Sequence, residues 1–175
     1  MTLVAPAMAN VISFQGVTFE TVASGNNLQL TIRNALSGGT GNWTDINYLK
    51  AFEIKGVGKV TGATLSGWTS TAAKGLSANA GCKTGGTNGA CFYQNSALAL
   101  TDNMVFDMAF VGNNLNFDAP HLKVQFFESA GQNKATGDLL SQNIPEPGTF
   151  ALMAVAMGVM GWSLRRQKRL QAVVA

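Results

Sequence analysis

Seventeen consecutive residues without a charge, 148–164, followed at once by Arg165, Arg166, Lys168 and Arg169, restrict this chain more than anything else in it. As a helix the run extends roughly 25 Å at about 1.5 Å per residue, a little short of the ~30 Å hydrocarbon core of a bilayer. Trp162 at its far end and the snorkelling side chains of Arg165 and Arg166 make up the difference. A buried core helix is the alternative, but such a helix is seldom apolar on every face and stopped by a basic cluster. The pattern therefore predicts a single transmembrane helix over 149–164. The positive-inside rule puts the basic tail in the cytoplasm and the preceding body on the other side. Ala154 and Gly158 have small-xxx-small spacing, by itself a weak signal for helix pairing.

The charge distribution agrees. Four of the 12 Lys and Arg lie in that tail, and the other eight face nine Asp and Glu, which leaves residues 1–164 at −1. The basic character thus belongs to the tail, not the body. A nucleic-acid-binding domain needs a basic stripe across its fold, so that class is excluded. A charged share of only 12% with 20 Gly also excludes a coiled coil or a highly charged disordered chain.

A body outside the membrane requires an export signal. Residues 1–9 supply part of one: Ala7-Met8-Ala9 fits the small-x-small cleavage pattern just before Asn10, without a positive leader and with only a stub of apolar sequence. Either a longer signal peptide has been truncated or the match is accidental. The C-terminal run, which independently demands translocation, favours truncation and cleavage after Ala9.

Between body and span the chain reads I-P-E-P-G-T-F over 144–150. Pro145 and Pro147 each fix their own φ and push the preceding residue out of the helical region, so Glu146 is displayed on a stiff extended stalk. As a bare tripeptide this would be a linker. Its order carries the information: Pro-Glu-Pro, Gly-Thr, one apolar span, an Arg-rich stop. That arrangement closely resembles the PEP-CTERM sorting signal of Gram-negative bacteria over residues 144–169. The resemblance implies recognition by an exosortase, a membrane-embedded cysteine transpeptidase-like enzyme found alongside exopolysaccharide biosynthesis. It also implies that Pro145, Glu146 and Pro147 are the recognition motif and 149–164 the inner-membrane span. Arg165, Arg166, Lys168 and Arg169 become the retention signal. The span is richer in Met and Ala than is usual for the family, and six residues follow Arg169.

Residues 10–143, about 130 in all, are enough for one domain with one core. Their period is two. Apolar and polar residues alternate over 28–33, over 104–111 with Met104, Phe106, Met108 and Phe110 on one face, and over 121–128 with Leu122, Val124 and Phe126 on one face. Weaker strand candidates lie at 11–14, 17–22, 48–54, 60–65 and 91–95, with a last one at 138–141. The segments 36–42 and 75–89, rich in Gly, Ser, Thr and Asn, read as surface loops. The expected fold is all-β, an antiparallel sandwich of jelly-roll type, followed by the single C-terminal helix.

Cys82 and Cys91 are the only cysteines and bracket a Gly-rich stretch able to turn the chain back on itself. In an exported body they are expected to form a disulfide, with two buried thiols as the alternative. Two Cys without a nearby His cannot fill a tetrahedral zinc site, so no metal is expected there.

Catalytic chemistry is sparse. His121 is the only histidine, beside Pro120 at a strand start, and no nucleophile elbow is present. A hydrogen-bonding role at the strand edge is the expectation, with no cofactor and no catalytic residue. A carboxylate pair for glycoside hydrolysis would have to come from Asp45, Glu53, Asp102, Asp107, Asp118 or Glu128, which sequence cannot place relative to one another. Asp102, Asn103, Asn113, Asn114 and Asp118 offer oxygens for Ca²⁺, although turn formation is the commoner use of such residues. Trp43, Trp68 and Tyr93 lie near Gly-rich loops, where an exposed ring would stack on a sugar; burial in the core is the favoured reading.

Three functions follow. The leading one is a non-enzymatic exported protein, anchored in the inner membrane with its body in the periplasm, processed by an exosortase and delivered to the cell surface or an exopolysaccharide or biofilm matrix. A carbohydrate-binding module acting on that polysaccharide is the second. A membrane-tethered glycoside hydrolase is the third.

Overall fold

The computed structural model describes residues 9–77, 81–136 and 140–144. Among these residues ten strands form two antiparallel five-stranded sheets packed face to face. They are β1 (Ala9–Phe14), β2 (Val17–Ser24), β3 (Asn27–Arg33), β4 (Tyr48–Lys55), β5 (Lys59–Leu65), β6 (Thr69–Leu76), β7 (Cys82–Ala99), β8 (Asn103–Asn113), β9 (His121–Phe127) and β10 (Leu140–Asn143). The first sheet runs β1-β2-β3-β8-β5 and the second β10-β9-β4-β7-β6. The expected all-β sandwich is therefore present. Among the described residues no helix is long and apolar enough to cross a membrane. The predicted span, 149–164, and residues 1–8 of the leader lie outside them.

Alternation in the sequence becomes the interface between the sheets. In β8, Met104, Phe106, Met108 and Phe110 are buried and the intervening residues exposed. They stand opposite Ile32, Leu30 and Leu28 of β3, with Ile32 paired to Met104, Leu30 to Phe106 and Leu28 to Met108. Apolar cross-strand pairs on the buried face fix this register, because a slip of one residue would turn every one of them to solvent. From the other sheet, Phe52 of β4 meets Phe106 with ring centroids 5.3 Å apart and stacks on Phe92 of β7 at 5.1 Å.

The ends of the sandwich are closed by connections that cross between sheets. A 3-10 turn, Gly41–Trp43, lies between β3 and β4 and inserts Trp43 into one end. Its ring packs on Phe14 of the first sheet at 5.1 Å and on Phe126 of the second at 4.8 Å. At the other end the β8–β9 connection contributes Phe117, against Phe110 at 5.3 Å, with Val57 and Ile144 also in the core.

The segment 75–89, expected as a loop, is instead mostly strand. Lys74 pairs with Gly85, Gly75 with Thr84 and Leu76 with Cys82, after a register shift in β6 between Ala72 and Lys74. Ala73 in that shift has φ of +56°, a left-handed conformation unusual for alanine. Backbone pairing makes this hairpin, with little side-chain alternation to announce it. β6 is hidden in the sequence for the same reason, since its first six residues carry no large apolar side chain. The last strand lies two residues later than expected, at Leu140–Asn143, and 137–139 fall outside the described residues.

Candidate functional site

The described body runs to Ile144, the residue before Pro145, Glu146 and Pro147 in sequence. β10 is an edge strand of four residues paired to β9, with Asn143 opposite His121. The next residue, Ile144, is fully buried, and its N–H donates to the Pro120 carbonyl at 3.0 Å. An apolar side chain in the core thus fixes the chain one residue before Pro145. The other end of the domain docks on the same loop. Asn10, 2% exposed, donates through Nδ2 to the carbonyls of Asp118 at 2.6 Å and Phe117 at 3.4 Å. Residues 117–120 therefore hold both the start and the end of the folded body.

His121 sits at this junction as a strand-edge hydrogen-bonding residue, its Nδ1 bonded to Asn143 Oδ1 at 2.9 Å. Partial burial lowers its pKa, opposed by the Asn143 bond and the Glu53 charge and assisted by Lys55 and Lys123. The folded value lies below the unfolded one, so on acidification the unfolded chain takes up the proton first. Stability from this group is complete above about pH 6.5 and falls as pH drops through the depressed value. Unfolding midpoints measured at pH 5 and pH 7.5 should show that loss, and His121→Gln should shrink it. An unchanged slope in the variant would assign the acid sensitivity elsewhere.

A second feature lies on the outer face of the β10-β9-β4-β7-β6 sheet. Cys82 and Cys91 form a disulfide with Cα atoms 5.6 Å apart, as expected from their spacing. The bond pins the β6–β7 hairpin back over the sheet. Leu76 then packs on Ala51 and Cys91, with Tyr93 and Cys82 against them. Beneath this strap Glu53 is fully buried and Gln125 is 1% exposed, although both point away from the main core. Glu53 Oε2 accepts from the Leu76 N–H at 3.0 Å and lies 3.9 Å from Lys123 Nζ, and Gln125 Nε2 donates to the Ser77 carbonyl. Beside the strap runs a groove of about 350 Å³ lined by Lys50, Gly81, Cys82, Lys83, Tyr93, Gln94, Asn95 and Asn133.

The aromatic candidates separate. Trp43 is fully buried, so the stacking reading fails for it and the core reading holds. Trp68 is half-buried against Phe52 and Phe106, with centroids at 5.2 and 5.5 Å. Tyr93 alone of the three lines the groove. The calcium candidates do not assemble, because Asn103 and Asn113 are the two ends of β8, about 34 Å apart at ~3.4 Å per residue. Asp102 is instead a turn former. Its Oδ1 accepts from Ser37 N at 2.8 Å and Leu36 N at 3.1 Å, and hydrogen bonds from Ser37, then from Leu36, hold its pKa down despite some desolvation. Among the described residues no group of three or more His, Cys, Asp or Glu converges as metal ligands. Asp107 and Glu53 lie on different sheets, Asp107 bonded to Gln29 at 2.8 Å.

Lys50 was not singled out from the sequence. Its signal is a break in period: the inward residues of β4 are Leu49, Phe52 and Ile54, spaced three and then two. The extra residue is a β-bulge between Leu49 and Ala51 that turns both Lys50 and Ala51 outward. Pro145, Glu146, Pro147, Arg165, Arg166, Lys168 and Arg169 lie outside the described residues.

A family model for the PEP-CTERM protein-sorting motif matches residues 143–168. No curated protein and no solved structure matches the chain.

Proposed function

We propose that this chain, which carries a PEP-CTERM protein-sorting motif, is an exported passenger that does no chemistry of its own and whose C-terminus is the substrate of an exosortase. Residues 149–164 hold the precursor in the inner membrane, with Arg165, Arg166, Lys168 and Arg169 on the cytoplasmic side and the sandwich in the periplasm. Processing at Pro145–Pro147 then passes the body to the cell surface or an exopolysaccharide matrix. The observation that carries this reading is the match to the sorting motif, placed directly on an anchored edge strand. The matched motif begins at residue 143, in β10, and the next residue, Ile144, is buried in the core of the body. A recognition motif must be reachable by its enzyme, and Pro145, Glu146 and Pro147 follow directly on that anchor in sequence. The shared anchor at 117–120 supports the same reading, because it lets a leader and a C-terminal span engage one membrane surface together.

Mass spectrometry of the protein's C-terminus, in cells with and without an exosortase, tests the proposal. With the enzyme, the mature chain should end near Pro145–Pro147; without it, residues 148–175 should be retained. A mature form that keeps 148–175 in both strains would overturn it.

A further inference from the structure

We infer that the groove beside the disulfide strap is a binding site for an acidic saccharide chain, one whose sugar rings carry carboxylates. The argument stands on the groove alone and does not depend on the sorting of the tail. Among the described residues its lining includes two ammonium groups, from Lys50 and Lys83, and no carboxylate. A body that is otherwise slightly acidic therefore presents a local anion-attracting cleft. Tyr93 contributes a half-exposed ring with a hydroxyl at its tip, suited to a surface that is apolar on its face and polar at its edge. Three residues of amide type, Gln94, Asn95 and Asn133, complete the lining. Amides both donate and accept, as neighbouring hydroxyls on a sugar ring require.

Both walls are held in place before any ligand arrives. On one side the Cys82–Cys91 bond fixes Cys82 and its neighbours Gly81 and Lys83. On the other, the Gln132 side chain organises the loop that carries Asn133. Its Oε1 accepts from Glu128 N at 3.0 Å, Ser129 N at 3.2 Å and Thr136 Oγ1 at 3.1 Å. The Gln132 carbonyl in turn accepts from Lys50 Nζ at 3.5 Å. A cleft built this way loses little conformational freedom on binding. An acidic peptide fits less well, because extended peptides are usually taken up along a sheet edge, and this groove lies on a sheet face.

The test uses the full chain in detergent micelles and its retention on immobilised polygalacturonate, with dextran as the neutral saccharide and polyphosphate as a polyanion without sugar. Polygalacturonate should retain the protein and dextran should not, and soluble polyphosphate should compete poorly. Tyr93→Ala and Lys50→Met should each weaken retention by about tenfold, while Lys59→Met, on β5 in the other sheet, should not. Tyr93 also packs beneath the strap, so Lys50→Met serves as the second variant and thermal unfolding reports on the fold of each. Three results would each overturn the inference: no retention on polygalacturonate, equal competition by polyphosphate, or full retention of a folded Lys50→Met protein.

Discussion

Trp43→Ala should destabilise the sandwich by about 3–5 kcal/mol, the range for removing a large aromatic from a packed core. The ring is fully buried and meets Phe14, Phe19 and Phe126, all edge-on, with centroids between 4.8 and 6.2 Å. These partners come from β1, β2 and β9, so the residue joins both sheets at the end where the 34–47 connection crosses. Backbone geometry leaves little room for collapse. A Cβ built on Gly39 would lie 2.1 Å from the Trp43 carbonyl oxygen, which shows how closely the turn wraps its own tryptophan. Domains of this size are typically stable by about 5–15 kcal/mol, so such a loss would leave a substantial unfolded fraction under mild denaturant. Urea unfolding of the variant against the parent measures it. A difference below about 1 kcal/mol would mean that the tryptophan is not the plug described here. Tyr93→Ala is the informative contrast: it truncates an aromatic on an outer face and should change retention on polygalacturonate more than stability.

How far the sequence foretold this depends on what each segment is made of. β3, β8 and β9 were legible because one face of each is almost wholly large and apolar, and burial of that face decides the strand. β6 and the first half of β7 were not, because they are held by backbone pairing and a disulfide, with Gly, Thr and Ala in place of an apolar stripe. The two cysteines point to the right covalent bond, but their spacing suggests a closed loop, whereas they tie down a strap. The groove was half visible. Tyr93 was named among the stacking candidates, yet Lys50 and Asn133 are far from it in sequence and converge only through the bulge in β4 and the loop after β9. Glu53 illustrates the limit. It lies on an outward-facing position of β4, where alternation predicts exposure, and it is buried because a distant hairpin folds over it. Sequence period reports which face a residue takes and does not report what covers that face.

Reduction of the Cys82–Cys91 bond should release that hairpin before it affects the rest of the body. The bond joins residues nine apart, and closing a loop of about ten residues stabilises a fold by roughly 2–3 kcal/mol on the chain-entropy account. Besides its backbone pairing the strap is held at few points: Leu76 is buried against Ala51 and Cys91, its N–H is held by Glu53, and the Ser77 carbonyl accepts from Gln125. Once the strap lifts, Glu53 and Gln125 gain water for Oε1 atoms that have no hydrogen-bond partner among the described residues. That gain in solvation favours the opened state, since a buried acceptor without a partner is costly. The paired strands β3 and β8 belong to the other sheet and keep their hydrogen bonds. Hydrogen exchange after treatment with a thiol reductant, or in a Cys82→Ser/Cys91→Ser variant, should therefore show faster exchange at the Leu76 amide while Leu30 and Phe106 stay protected. Retention on polygalacturonate should fall in the same samples, because Gly81, Cys82 and Lys83 form one wall of the groove. Unchanged protection at Leu76 would mean that pairing with β7, and not the disulfide, holds the strap down.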